Sequence, residues 1–496
     1  MQFNSLQFLK FFPVTLTVYY IIPKKLRYLW LLAASYFFYM GWNAKYALLL
    51  LFSTSVTFVG SLIIDKFKAA DAPEKAKCAL IVVLALNFGI LAYFKYANFL
   101  IGSIETALHA LSVPAQFSPV DVLLPVGISF YIFQAVGYSF DIYYGKLEPE
   151  RSFLRYALFV SYFPQLVAGP IERSTNLLPQ LKNAENIKWD NKRVQRGGLL
   201  MLYGYIIKMI ISDRCAIAVD EVFNNCLYYS PGAYVVAALL FAIQIYCDFA
   251  GYTYIAIGAS RMMGIELMDN FNCPYLARNI KDFWSRWHIS LSTWFKDYLY
   301  IPLGGSRKGK RRKYINLFIV FAVSGLWHGA GWNFILWGVI HAVYRIAGEI
   351  TAPHRRELRK KLGIAENNIL LIFVQRLSTF CLVAFAWLFF RVQDFGALKY
   401  IVFSILTEPW RIKSIWKKGI GGMALLYPEW KVIIVSIIFL AVCDIMHEKK
   451  VPFSDWFEKR CPVFKAAFFI VGILLILTFG IYGSGYDPAS FIYFQF

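Results

Sequence analysis

Two histidines stand where an ionisable side chain is costly. His328 lies in residues 314–344, a stretch without Asp, Glu, Lys or Arg that is interrupted by Gly325, Gly329 and Gly331 around Trp327 and His328. His288 lies in residues 281–299, among Trp284, Trp287, Leu291, Phe295 and Tyr298. An ionisable group held inside an apolar segment is expensive unless it is paired or working. An imidazole near its ordinary pKa of about 6.5 can take the proton of an attacking hydroxyl. Acyl transfer to a hydroxyl needs such a base, together with stabilisation of the oxyanion of the tetrahedral intermediate. A lone histidine in an apolar stretch is more often structural. The glycine break and the lack of other ionisable groups turn that expectation toward function for His328, whereas both readings stay open for His288. Trp327 and Asn333, beside the break, are supporting candidates.

Asp248 is a third candidate, the one charged residue between Glu221 and Arg261. An isolated carboxylate in an apolar run is functional, or it is an interior ion pair that fixes a helix, with Lys208 or Arg214 as partner.

The elements that must position these groups follow from spacing. On a helix over residues 281–299 the aromatic residues and His288 fall on one face, while Arg286, Ser290, Thr293, Lys296 and Asp297 take the other. Such an amphipathic helix lies along a membrane interface or roofs a cavity. A straight helix over residues 314–344, rising about 1.5 Å per residue, overshoots a hydrocarbon layer of about 30 Å, so the glycines predict two helical arms joined by a break at His328. Non-helical backbone at membrane depth is tolerated where protein buries it or it lines a cavity, so His328 is expected at a cavity floor.

Hydrophobic residues make up 58% and charged residues 16% of the 496, a composition for which lipid is the main solvent. Apolar runs recur at 79–94, 122–144, 235–257, 315–344, 369–390, 432–446 and 468–482; with shorter N-terminal runs they predict an all-α polytopic membrane protein of roughly 10 to 12 membrane segments. The N-terminal run that follows the uncharged residues 1–7 is expected to be a retained anchor. No repeat or long linker divides the chain, so one membrane domain over residues 1–496 is the simplest organisation.

The net charge of +21 sits in short connectors, as positive-inside topology requires. Residues 24–27, 65–77, 182–196, 307–313, 355–361 and 411–418 are therefore expected in the cytoplasm, and 102–120, 220–232 and 483–496 outside. No nucleic-acid motif accompanies the cations. Residues 304–310 formally fit a phosphate-binding loop, but Arg311 stands where Ser or Thr is required and no strand precedes it. The segment reads as a positive-inside anchor that can also attract an anionic acyl donor. The eight cysteines include no CxxC pair, and neither a serine elbow nor a zinc motif occurs, so no metal is expected.

Several long stretches carry a family resemblance in order along the chain: LPVGISFYIFQAVGYSFDIYYG at 124–145, YFPQLVAGPIER at 162–173, IQIYCDFAG at 243–251, CPYLARNIKDFWSRWHISLSTWFKDYLYIPLGGSR at 273–307, GLWHGAGWNFILWG at 325–338 and FAWLFFR at 385–391. The sequence resembles bacterial membrane-bound O-acyltransferases of the alginate O-acetylation type, relatives of the membrane protein that D-alanylates teichoic acid. The resemblance implies His328 as the catalytic residue, His288 as the second family histidine, and a fold in which cytoplasmic and extracellular funnels meet at the active site. It also implies acyl transfer to an extracellular polysaccharide from a cytoplasmic donor, acetyl-CoA or another acyl thioester, with no tightly bound cofactor. An extracytoplasmic partner protein completing the transfer, and a bacterial cytoplasmic membrane, belong to the same expectation. Two departures, Tyr254 where relatives often carry Asp and Cys273 where they often carry Arg, lie outside the histidine motifs and bear on substrate or partner more than on chemistry. The rival readings are D-alanyl transfer, a transporter or flippase without covalent chemistry, and a structural subunit of a secretion complex.

Overall fold

The computed structural model describes residues 1–167, 169–408 and 423–482. The basic connector at 411–418 and the tail at 483–496 lie outside the described residues. Among the described residues the chain is helical, and its extended pairing is a single antiparallel bridge between Phe271 and Trp287. Among the described residues seven helices are long and apolar enough to cross a membrane: Ala44–Ala69, Pro73–Ala110, Pro231–Met262, Trp332–Lys361, Ile369–Arg391, Tyr427–Glu448 and Pro462–Phe479. Helix is what a bilayer demands, because every backbone N–H and C=O must find its partner within its own segment. The expected 10 to 12 segments included shorter runs. Of these N-terminal runs, Leu6–Ile21 is an apolar helix of fewer than 18 residues; Phe395–Thr407 is another such helix, which the run count did not single out. The run at 122–144 becomes helical only at Ile128, after Gly127 adopts a left-handed conformation with φ +74°.

The chain forms two compact units, residues 1–201 with 255–268, and residues 202–254 with 269–496. In the first, α1 (Leu6–Ile21), α2 (Arg27–Met40), α3 (Ala47–Ala69), α4 (Pro73–Leu91), α5 (Ala97–Ala110) and α6 (Ile128–Tyr143) are followed by short α7 (Phe153–Ser161), α8 (Phe163–Leu166) and α9 (Ser174–Lys182), and then α10 (Asn191–Tyr205). Helices α3, α4 and α6 pack together, and their buried polar groups answer one another. Ser53 of α3 donates to Asn87 Oδ1 of α4 at 2.6 Å, and Tyr156 of the neighbouring α7 donates to Thr57 of α3 at 2.7 Å.

The second unit holds the candidate residues. A π-helical segment, Ile206–Ser212, leads into α11 (Asp213–Asn224), and α12 (Pro231–Met262) follows, with its residues 231–254 in this unit. Next come α13 (Ile280–Arg286), α14 (Ile289–Phe295), α15 (Gly309–His328), α16 (Trp332–Lys361), α17 (Ile369–Arg391), α18 (Phe395–Thr407), α19 (Tyr427–Glu448), α20 (Phe453–Glu458) and α21 (Pro462–Phe479). The apolar window of α12 is 78% buried and that of α21 6%, so α12 is a core helix and α21 presents its apolar surface outward, as a lipid-facing helix does.

The single amphipathic helix expected over 281–299 is not formed. It is two short helices broken at Trp287, which is extended and bridged to Phe271, and His288, whose backbone is left-handed at φ +43°. Asn272 N–H closes the bridge by donating to Arg286 O at 2.9 Å. The break redistributes the faces, and Ser290, assigned to the polar side, is fully buried. Periodicity along one segment does not register a pairing with residues sixteen positions upstream.

The break expected near His328 is present. Helix α15 ends at His328, Gly329 and Gly331 are extended, and α16 starts at Trp332. The arms return on each other as an antiparallel hairpin in which Phe321 faces Gly338 and Gly325 faces Phe334. The glycine-rich turn at 304–309 is held by Asn316, whose Nδ2 donates to Leu303 O at 3.3 Å and Gly305 O at 3.0 Å. No strand precedes that turn among the described residues, consistent with setting aside a phosphate-binding loop.

Candidate active site

His328 is the last residue of α15 and is 3% exposed. Its imidazole meets Trp337 of α16 edge-on at a centroid distance of 5.1 Å, Phe390 of α17 at 5.5 Å and its neighbour Trp327 at 5.0 Å. Trp337 is itself stacked on Trp387 at 5.5 Å. The aromatic walls fix the ring by edge-to-face contacts, each worth about 0.5–1.5 kcal/mol beyond area burial.

His288 sits at the N-cap of α14 and is fully buried. Its ring lies 4.8 Å from Phe249 of α12 and 5.8 Å from Trp327. The two imidazole centroids are 6.2 Å apart, with 57° between their planes. Two segments forty residues apart thus deliver both histidines to one aromatic enclosure, and Trp327 packs against both rings.

The break carrying His288 is anchored. Arg286 holds Glu448 of α19 through two nitrogens, at 2.7 and 3.2 Å, and Asp282 through Nε at 2.7 Å. A planar guanidinium can make this bidentate contact and a lysine cannot. Arg376 of α17 adds a second cation 3.6 Å from Glu448. Asn270 Oδ1 stands 3.1 Å from His288 Nδ1.

The other candidates are held by contacts with neighbouring segments. Asp248 is buried and pairs with Lys208 at 2.5 Å, which also holds Asp213 at 2.7 Å. Of the two partners weighed for Asp248, the structure supplies Lys208. Arg214 instead meets Glu429 at 3.2 Å and Phe479 O at 2.6 Å. Asn333 donates to Phe389 O at 3.4 Å, tying the start of α16 to the turn of α17 that bears Phe390. His341 accepts from Trp284 Nε1 at 3.2 Å and packs on Trp337 at 4.9 Å, so it shares that tryptophan with His328.

Sequence reasoning missed Asn270, Phe249 and Asp444. Asp444 is a buried carboxylate in α19 that accepts from Tyr246 at 3.1 Å; the lone-charge rule that singled out Asp248 would have found it. Asn270 carries no periodic signal. Asn270 Nδ2, Trp287 Nε1 and Trp337 Nε1 are buried donors without an acceptor among the described residues. Donors of this kind suit a carbonyl oxygen that gains charge during a reaction. Among the described residues no group of three or more His, Cys, Asp or Glu could hold a metal ion.

This geometry, two imidazoles in an aromatic enclosure with hydrogen-bond donors nearby, suits proton transfer coupled to acyl chemistry. Residues 147–381 match the model of the membrane-bound O-acyltransferase family. A probable alginate O-acetylase of Pseudomonas syringae pv. tomato is 36% identical over 85% of this chain and 79% of its own length. The peptidoglycan O-acetyltransferase of Helicobacter pylori is 35% identical over 80% and 79%. The teichoic acid D-alanyltransferase of Bacillus subtilis, at 31%, is similar over 47% of this chain and 61% of its own length. The chain is a multi-pass membrane O-acyltransferase and belongs to the membrane-bound O-acyltransferase family.

Proposed function

We propose that this protein moves acetyl groups from a cytoplasmic thioester, with acetyl-CoA as the donor, toward an extracellular polysaccharide, and that His328 is its general base. The observation that carries the reading is the pair of buried imidazoles with centroids 6.2 Å apart in one aromatic enclosure. The acceptor hydroxyl attacks the thioester carbonyl as His328 takes its proton. The new C–O bond forms, the C–S bond breaks from the tetrahedral intermediate, and the proton passes from His328 to the departing thiolate. His288 positions the donor or assists that proton transfer.

The acceptor at this site is a hydroxyl of the polysaccharide, of a small intermediate, or of an extracytoplasmic partner protein that completes the transfer. The membrane is the bacterial cytoplasmic membrane, with the basic connectors inside and able to draw in an anionic donor. Acetyl is preferred over D-alanyl because the O-acetylating relatives are similar over most of the chain, and the D-alanylating one over about half.

The test is mass spectrometry of ester content in the host's surface polysaccharide, in cells with wild type, His328→Ala, His328→Gln or His288→Ala at equal membrane abundance. Loss of acetyl esters with both His328 variants is expected. Unchanged esters with either of them overturn the assignment, since a transporter tolerates glutamine and a scaffold tolerates both.

A further inference from the structure

We propose that Asn270 is a positioning residue that fixes the tautomer of His288: it holds the proton on Nδ1 and leaves Nε2 as the nitrogen that accepts hydrogen bonds and protons. The proposal rests on the reading of His288 as part of the reaction site.

The argument starts from an atom that can only accept. Asn270 is 1% exposed, and its Oδ1 lies 3.3 Å from the backbone N of Ser290, 2.9 Å from Ser290 Oγ and 3.1 Å from His288 Nδ1. A backbone N–H can only donate, so the amide atom facing it must be the carbonyl oxygen and not the NH2. That oxygen has no proton to give, so an Nδ1 at hydrogen-bond distance from it must carry one. In a neutral imidazole the other nitrogen, Nε2, is then the acceptor.

The backbone supports the same arrangement. His288 is left-handed, a conformation that costs a residue with a Cβ about 1–2 kcal/mol. Asn270 holds the turn from both ends of its own frame: its carbonyl accepts from Ile289 N–H at 3.0 Å, and its side chain accepts from Ser290. The ring is then fixed by Phe249 from α12 and by Trp327 and His328 from α15. His328 is a titratable group that faces it, Ser290 is its neighbour on α14, and Asn270 faces it as a neutral side chain.

The tautomer decides the chemistry. Were the proton on Nε2, a neutral His288 would offer a donor to an oxyanion. With the proton on Nδ1 it offers a lone pair, so it holds or receives the proton of a hydroxyl or of a leaving thiol. A hydrogen bond to the distal nitrogen is the general means by which proteins select between these roles.

The direct test is solid-state nitrogen NMR on the full chain in bilayers, with 15N in its six histidines and His288 assigned by the signal lost in His288→Gln. A protonated Nδ1 and a bare Nε2 are expected at pH above the histidine range, and the opposite tautomer overturns the proposal. Asn270→Leu should release the preference and lower kcat about 10- to 100-fold, the usual effect of removing an orienting partner, with donor KM little changed. Asn270→Asp keeps an acceptor for Ser290 and so keeps the turn. Its charge favours the imidazolium, so the acidic limb of the pH profile should move to higher pH. In a His288→Ala background Asn270→Leu should cost nothing further; an undiminished cost there means a structural role only and overturns the proposal. If His288→Ala is itself fully active while the NMR shows Nδ1–H and Asn270→Leu abolishes it, the tautomer assignment stands and the reaction role of His288 falls.

Discussion

Gly325 of α15 lies against the carbonyl of Phe334 of α16 so closely that a Cβ at Gly325 would stand 2.2 Å from that oxygen. Gly338 has the same relation to the Phe321 carbonyl, again at 2.2 Å. The two contacts are four residues apart on each arm, one helical turn, so they set a single antiparallel register. His328 follows Gly325 by three residues at the closed end of that hairpin, and Trp337 precedes Gly338. The ring contact between His328 and Trp337 therefore depends on two positions that admit no side chain.

The first prediction concerns this register. Gly325→Ala or Gly338→Ala pushes backbone against backbone, which has no flexible atom to give way, and should cost about 1–3 kcal/mol, as overpacking does. Acyl transfer should fall with it, because the ring of His328 moves relative to Trp337 and His288. Gly348→Ala, in the same α16 with nothing within 4 Å of the added carbon, should keep activity and raise thermal stability, since Ala is favoured over Gly in a helix by about 0.5–1 kcal/mol. Apparent melting temperature in detergent and polysaccharide ester content measure both effects. Equal behaviour of the three variants would mean that the close approach does not set the site.

Much of this was legible in the sequence because membrane physics acts locally. Apolar run length gives the spanning helices, and glycines in a charge-free run give the break at His328. The lone carboxylate Asp248 in its apolar span pointed either to a functional group or to an interior ion pair, and the structure supplies Lys208 beside it. What was not legible depends on contacts between distant segments. The pairing of Phe271 with Trp287 splits a stretch whose own periodicity reads as one helix, and it turns His288 to Asn270, a residue that no spacing rule selects. A buried carboxylate within an apolar run was equally legible at Asp444 and was passed over.

The second prediction is a pH dependence in the first unit. Glu172, in the connector before α9, is buried and accepts from Met268 N–H at 2.5 Å and Asn176 Nδ2 at 2.8 Å. Burial raises its carboxyl from 4.5 to about 7, against the hydrogen bonds and Arg173, which favour ionisation. A carboxyl whose folded value is raised binds more protons in the native state, so its contribution to stability is complete below about pH 4.5 and is lost as pH rises through about 7. A shift of that size corresponds to about 3 kcal/mol. Melting temperature measured from pH 4 to 8 should decline more steeply in the wild type than in Glu172→Gln. Parallel curves would mean that Glu172 does not titrate in this way.

The third prediction separates structure from chemistry at Asp248. Lys208, Asp213 and Asp248 are each no more than 5% exposed, and Lys208 bridges the two carboxylates at 2.7 and 2.5 Å. Removing one partner of a buried ion pair leaves a charge uncompensated and typically costs about 3–5 kcal/mol. Lys208→Met takes the shared cation from two carboxylates at once, whereas Asp248→Asn leaves the Lys208–Asp213 pair intact. The expected order of thermal stability is therefore wild type, then Asp248→Asn, then Lys208→Met, with the last accumulating poorly in the membrane. If the triad only fixes α12 to the π-helical segment, Asp248→Asn should retain transfer activity per molecule at equal abundance. A large loss of turnover in a variant that keeps its melting temperature would instead give Asp248 a part in the reaction, and the ion pair would then be the means of holding that carboxylate charged.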